Sequence, residues 1–226
     1  MRYIGKGIYT VPAASKILGM DAKRIRRWIS GYVYHRNTER HLVKPLIKTE
    51  FGFDDDVIIS FLDLMELLFI KNFIHRGVRI QKIRKAAAAA SDLLKTPHPF
   101  ALRKIFTDGK EIFAKIAKED NDTSLLDLGN KQFQFEEILE PLLYECIDFD
   151  NYDLAEKWWP NGKNGGIVLD PARNMGQPII DNHNVRTELI YELYRAKHSI
   201  DEISDWYELD KIAIEAAIGF EQGLVA

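Results

Sequence analysis

The chain has 226 residues, of which 46% are hydrophobic and 29% are charged. This composition is typical of a globular protein and excludes wholesale disorder. A single cysteine, Cys146, excludes an internal disulfide framework, and no apolar run reaches the ~18 residues of a membrane helix. The amino end lacks an apolar signal core, so we expect a cytoplasmic protein with no membrane partner.

The net charge of −3 conceals two halves of opposite sign. Residues 1–110 hold 21 Lys and Arg against 10 Asp and Glu, whereas residues 111–226 hold 10 against 24. A basic half attracts polyanions such as nucleic acid, and an acidic half favours solvent or a basic protein. Alternatively, the two halves neutralise each other within one fold, and charge alone leaves both interpretations open.

Residues 8–31 predict two short helices joined by a tight turn. Thr10 and Asp21 are suitable N-caps, because their side chains can accept bonds from the first backbone amides. Gly19 and Gly31 are natural C-terminal stops for the two helices. This arrangement is a helix-turn-helix.

Residues 32–47 predict a β-hairpin, or wing, after the second helix. The strand-like runs 32–34 and 42–47 flank a polar tip, 35–41. Pro45 lacks a backbone N–H and would place the second strand at an edge.

The predicted second helix has an apolar face and a cationic face. A cationic helix after a tight turn can enter the DNA major groove, where Arg bonds guanine or phosphate. The alternative is a solvated basic helix, but the turn, the basic face and the hairpin together favour DNA. We expect base contacts from the helix and phosphate contacts from the wing and the residues after it. The predicted DNA-binding residues are Lys23, Arg24, Arg26 and Arg27 on the helix, followed by Arg36, Arg40 and Lys48.

Residues 55–94 predict two longer helices broken at Gly77. Basic residues around the second one could continue the phosphate track or be ordinary surface charge: Arg76, Arg79, Lys82, Arg84 and Lys85. The run Ala86 to Ala90 strongly favours helix. We expect it on the solvent side rather than in a close contact between helices.

The middle segment predicts a second hairpin at Asp108-Gly109, a strand at 125–128 and a helix at about 136–146. Trp158 and Trp159 are candidates for binding a partner protein, since aromatic residues are enriched at interface hot spots. A core role at a domain junction is an equally good interpretation.

Residues 167–226 predict two short strands and three helices, at about 187–196, 199–206 and 210–221. Ser199 and Glu202 have the spacing of a capping box. The three helices form a second helix-turn-helix-like unit. Its middle helix is crowded with acidic residues, which would repel phosphates.

Enzymatic motifs are absent from the sequence. The chain lacks GxxxxGK[ST], HExxH and GxSxG patterns, and its six histidines are scattered without metal-ligand spacing. We therefore expect no catalytic residues, no metal and no cofactor.

Two segments resemble known families. The stretches YTVPAASKILGMDAKRIRRWISG and SFLDLMELLFIKNFIHRGVRIQKIR, within residues 8–94, resemble a MerR-like winged helix-turn-helix. Residues 167–226 resemble a small antitoxin-associated domain through Asp170-Pro171 and Gly176-Gln177-Pro178. The joined arrangement, including HPFALRKIFTDGKEIF and AEKWWP, is similar to VapB-type antitoxins with an N-terminal DNA-binding domain.

The resemblance implies a mainly α (α+β) fold. Its expected parts are a winged helix-turn-helix at 1–95, a middle segment at 96–160 and a three-helix domain at 161–226. It also implies the antitoxin of a type II toxin–antitoxin pair, a homodimer that represses its own operator and neutralises a PIN-like ribonuclease toxin. The alternatives are a stand-alone MerR-like regulator with a C-terminal oligomerisation domain and a protein scaffold that has lost DNA binding.

Overall fold

The computed structural model describes residues 4–51, 57–75, 77–105 and 146–225. They belong to two compact units. The N-terminal unit contains the described residues from Tyr9 to 105, with 149–155, and the C-terminal unit contains 4–8, 146–148 and 156–225. The predicted hairpin at Asp108-Gly109, the strand at 125–128 and all but the last residue of the helix at 136–146 lie outside the described residues.

The N-terminal unit begins with the predicted helix-turn-helix, formed by α1 (Val11–Leu18) and α2 (Ala22–Ser30). The hydroxyl of Thr10 accepts a bond of 3.2 Å from the amide of Ala13, and Asp21 Oδ1 accepts one of 2.8 Å from the amide of Arg24. Gly19 ends α1 in the left-handed conformation, with φ of 57°. Both predicted caps and the predicted stop are therefore confirmed.

The wing is a hairpin of β2 (Tyr32–Arg36) and β3 (Glu39–Val43), in register from Tyr32 opposite Val43 to Arg36 opposite Glu39. The predicted seven-residue tip is wrong, because Asn37 and Thr38 alone form the turn. Both have positive φ, 49° and 70°, the conformation that closes a two-residue hairpin. The second strand also ends earlier than predicted, two residues before Pro45.

Helix α3 (Phe61–His75) is the central helix of this unit and is buried on nearly all sides. Its aromatic rings stack along the core, with the Phe69 centroid 4.5 Å from that of Phe73 and 4.3 Å from that of Phe100. Before it, β4 (Ile58–Ile59) pairs antiparallel with β1 (Tyr9–Thr10). A short 3-10 helix (Pro99–Ala101) packs against α3.

Helix α4 (Ile80–Leu94) carries the alanine run. Ala86, Ala87 and Ala90 are buried, while Ala88 on the other side is exposed. The expectation of a solvent-side helix is therefore wrong for one face. The small side chains allow that face to pack closely into the unit.

The C-terminal unit combines small sheets with three helices. Within this unit β7 (Ile167–Val168) pairs antiparallel with β8 (Ile179–Ile180). The chain also forms a two-stranded sheet of β5 (Ile147–Phe149) and β6 (Ala155–Trp158). The predicted helices are confirmed as α5 (Thr187–Arg195), α6 (Ile200–Tyr207) and α7 (Lys211–Val225). Their core includes Ile190, Ile203, Ile214 and Ile218. The fold is mainly α with small two-stranded sheets, as predicted.

The predicted capping box begins α6. The amide of Glu202 donates to the Ser199 hydroxyl, and the Glu202 carboxylate accepts from the Ser199 amide at 2.8 Å. This box fixes where the helix starts, and so fixes which of its residues face solvent.

Candidate nucleic-acid interface

Helix α2 separates its apolar and cationic side chains onto opposite faces. Ile25, Trp28 and Ile29 are buried in the N-terminal unit. The four predicted base-contacting residues are all exposed, so the structure brings them together on the outer side of one helix: Lys23, Arg24, Arg26 and Arg27.

Two contacts hold the turn that orients α2. The Ser15 hydroxyl donates to the carbonyl of Met20 across the turn. The Lys71 ammonium, from α3, donates to the carbonyl of Leu18 at the end of α1. This contact places a cation where the α1 carbonyls point outward, and it links the helix-turn-helix to the central helix.

The wing is fastened to the end of α2 by backbone contacts. The amides of Leu46 and Ile47 donate to the carbonyl of Trp28 at 2.6 and 3.2 Å. Gly31 connects α2 to β2 with φ of 71° and ψ of −175°, and a Cβ there would lie 2.5 Å from the carbonyl oxygen of Val43. Only glycine fits this junction without strain.

Arg84 of α4 supports the wing from the other side. Its Nη1 donates to the carbonyl oxygens of Lys44 and Pro45, at 2.6 and 2.8 Å. Burial lowers the pKa of this guanidinium below its usual value. From the sequence, Arg84 was predicted either to continue the phosphate track or to be ordinary surface charge. Here it fixes the segment that follows β3, a role set by residues about 40 positions away.

One face of the wing presents aromatic rings beside α2. The guanidinium of Arg27 lies over the ring of Tyr32, with Cζ 5.3 Å from the centroid. The rings of Tyr34 and His41 stack at 5.0 Å, and Tyr32 and Tyr34 lie 6.2 Å apart. Neither tyrosine is among the site residues predicted from the sequence. Their alternate spacing in a strand next to a basic helix is the signal that could have found them.

The predicted phosphate-binding residues of the wing are not all on the face that carries Tyr32 and Tyr34. Arg40 is exposed and opposes His35 in the register, so the alternation of side chains places it on the other face of the hairpin. Arg36 ends β2 opposite Glu39. Lys48 is exposed immediately after Ile47, whose amide bonds the end of α2.

Trp158 and Trp159 lie in the core of the C-terminal unit, 4% and 6% exposed. Trp159 packs with Val168 and Ile179 and donates from Nε1 to Asp181 Oδ2 at 3.1 Å. Their burial favours the predicted core role over the role of binding a partner.

The described ranges offer neither a metal site nor a membrane-spanning helix. They contain no group of three or more His, Cys, Asp or Glu side chains placed to hold a metal ion. None of the helices within them is long and apolar enough to cross a membrane.

Two parts of the chain match known family models. Residues 7–87 match the model of a "Putative DNA-binding HTH domain". Residues 167–220 match a family described as "Protein of unknown function (DUF433)". The first match contains the cationic face of α2 and the whole wing.

Relatives in Mycobacterium tuberculosis match nearly the full chain. The protein named "Putative antitoxin VapB45", from strain ATCC 25618 / H37Rv, is 27% identical over 213 residues, which are 88% of this chain and 87% of the relative. The crystal structure of Rv2018 superimposes with a TM-score of 0.74 at 24% identity, covering 93% of this chain and 96% of that one. At this identity, the similarity to Rv2018 shows the fold alone.

Proposed function

We propose that this chain is a DNA-binding antitoxin of a type II toxin–antitoxin pair, with a MerR-like winged helix-turn-helix that represses its own operator. The observation that carries the proposal is the outer face of α2, where Lys23, Arg24, Arg26 and Arg27 are all exposed. Four cations on one side of the second helix of a helix-turn-helix suit the major groove of DNA.

The wing supplies the second part of the DNA surface. Because β2 follows α2 directly and residues 46 and 47 bond back to Trp28, the hairpin is held in a fixed position beside the helix. Arg36, Arg40 and Lys48 are proposed to hold backbone phosphates. As a homodimer, the protein would protect an inverted repeat whose half-sites are about one or two helical turns, ~34 Å each, apart.

The toxin half of the proposal has two supports. A relative that aligns with 88% of this chain at 27% identity is named "Putative antitoxin VapB45". The acidic surplus of residues 111–226 complements the basic surface expected of a protein that handles RNA. We therefore propose a PIN-like ribonuclease as the neutralised partner.

Nuclease footprinting of the DNA upstream of the gene tests the DNA half. The wild-type protein should protect a two-fold symmetric site, and the double variant Arg26→Glu, Arg27→Glu should lose that protection. Arg195→Ala, which removes an exposed cation of the C-terminal unit, is the matched control and should protect normally. Equal protection by the double variant would exclude α2 as the DNA-contacting helix.

Growth rescue tests the toxin half. The protein encoded by an adjacent reading frame is expressed alone and then with this chain. We expect growth arrest in the first case and recovery in the second. If no neighbouring product is toxic while the footprint persists, the stand-alone regulator is the correct interpretation.

A further inference from the structure

The C-terminal unit exposes an aromatic residue among acidic ones. Trp206 of α6 is 54% exposed. Its ring and that of His198 are arranged in a T shape, with centroids 4.8 Å apart. Glu202 lies one turn before it on the same helix, and Asp205 immediately precedes it. We call this the Trp206 surface: His198, Asp201, Glu202, Asp205 and Trp206.

Contacts hold two of the acidic groups of this surface in place. Glu202 belongs to the capping box, and the bonds from Ser199 lower the pKa of its carboxyl below the usual value. Asp201 pairs with Lys211 of α7. The hydrogen bond that the Lys211 ammonium donates to Asp201 raises the pKa of Lys211, and the negative charges of Asp201 and Asp205 raise it further. Glu202 and Asp201 are therefore fixed in position on this surface.

We propose that the Trp206 surface is the docking site for a basic protein partner, which is the toxin if the proposed function holds. Tryptophan is the residue most enriched at binding hot spots, where its ring supplies a large apolar contact. The surrounding carboxylates would steer a cationic partner toward it and fix its orientation. Identifying this partner as the toxin rests on the proposed function.

Charge argues against two other occupants of this surface, a second copy of this chain and DNA. A second copy of this chain placed two-fold across the surface would set Glu202 and Asp205 against like charges. DNA would meet the same repulsion from its phosphates. A protein with Lys or Arg around an apolar pocket has neither difficulty.

The test uses the purified product of the adjacent reading frame, titrated against the full-length chain by calorimetry. Trp206→Ala should weaken binding by about 30-fold or more, the loss expected at a hot spot. Asp205→Lys should weaken binding by about tenfold and reduce its salt dependence. Asp205 is chosen because it lies outside the capping box. The control is Tyr152→Ala, which truncates another exposed ring, 83% accessible, and should bind like wild type.

The outcomes separate this inference from the proposed function. If the wild type binds and both surface variants bind equally well, the Trp206 surface is not the site, while the antitoxin function stands. If the wild type binds none of the neighbouring products, both are wrong. Trp206→Ala must keep the thermal unfolding midpoint and the operator affinity of wild type, since its ring lies outside the core. Loss of toxin binding with these two properties intact supports the proposal.

Discussion

The guanidinium of Arg27 lies 5.3 Å from the ring centroid of Tyr32, so the last turn of α2 is in contact with the first residue of the wing. Arg27 is proposed to touch DNA and Tyr32 is exposed beside it. An arginine held over an aromatic ring has fewer conformations to lose on binding. Helix and hairpin therefore form one surface rather than two independent ones.

Arg27→Ala should weaken operator binding by about 1–3 kcal/mol, the range for an arginine that contacts a base. Fluorescence anisotropy with a labelled operator measures this change. Arg195→Ala, far along the chain in the C-terminal unit, should leave the affinity unchanged. An Arg27→Ala protein that binds like wild type would remove this residue from the interface.

Tyr32→Ala should lower operator affinity a few-fold, because an exposed cation–π contact is worth about 0.5–1 kcal/mol. Tyr32→Phe keeps the ring and should bind nearly as tightly as wild type. A loss in Tyr32→Phe equal to that in Tyr32→Ala would mean that the hydroxyl, and not the ring, matters.

Salt dependence should separate phosphate contacts from base contacts. Each neutralised phosphate contributes about 0.9 to the slope of log affinity against log salt. Arg40→Ala and Lys48→Ala should each lower this slope by about 1, with similar effects on specific and nonspecific DNA. A slope identical to that of wild type would place either side chain away from the phosphates.

Gly31→Ala should destabilise the N-terminal unit by about 1–3 kcal/mol through backbone strain, because its Cβ would meet the Val43 carbonyl. Urea denaturation measures the effect. Gly219→Ala is the control, since that glycine lies in helix α7, without positive φ and with open space around its Cβ. It should stabilise by about 0.5–1 kcal/mol. Similar effects at the two sites would contradict the strained junction.

Asp63 should make stability depend on pH. Burial raises the pKa of its carboxyl from 3.8 to about 7, so between these values the folded state binds more protons than the unfolded state. The free energy of unfolding then falls as pH rises, by up to about 1.4 kcal/mol per pH unit from this group. Below pH 4 the contribution is constant.

Asp63→Asn removes this titrating group. Asparagine keeps an oxygen to accept from the Ser60 amide, now bonded to Asp63 Oδ2 at 2.9 Å, and it does not titrate. The stability of wild type minus that of Asp63→Asn should fall between pH 5 and pH 7. A difference that is flat with pH would show that Asp63 does not titrate there.

The local features of the fold were predictable from the sequence. The N-caps at Thr10, Asp21 and Ser199 depend on bonds to amides only three residues away, so residue type and spacing predict them. The exposure of the cationic face of α2 followed from helical periodicity in the same way.

Features that depend on distant residues were not predictable. Arg84 bonds carbonyls about 40 positions earlier, and nothing in its own neighbourhood indicates that. The tip of the wing was predicted too long because an exposed two-stranded hairpin needs no apolar alternation, so His35 and Arg40 resembled loop residues. The burial of Ala86 and of Trp158 likewise depends on packing within their units.

Native mass determination tests whether this chain binds a toxin as well as DNA. The chain is co-expressed with the products of the adjacent reading frames, purified through a sizing column and weighed with and without operator DNA. We predict a complex that retains a small nuclease-like partner. A bare dimer on DNA, with every neighbouring product soluble but unbound, would contradict the antitoxin function.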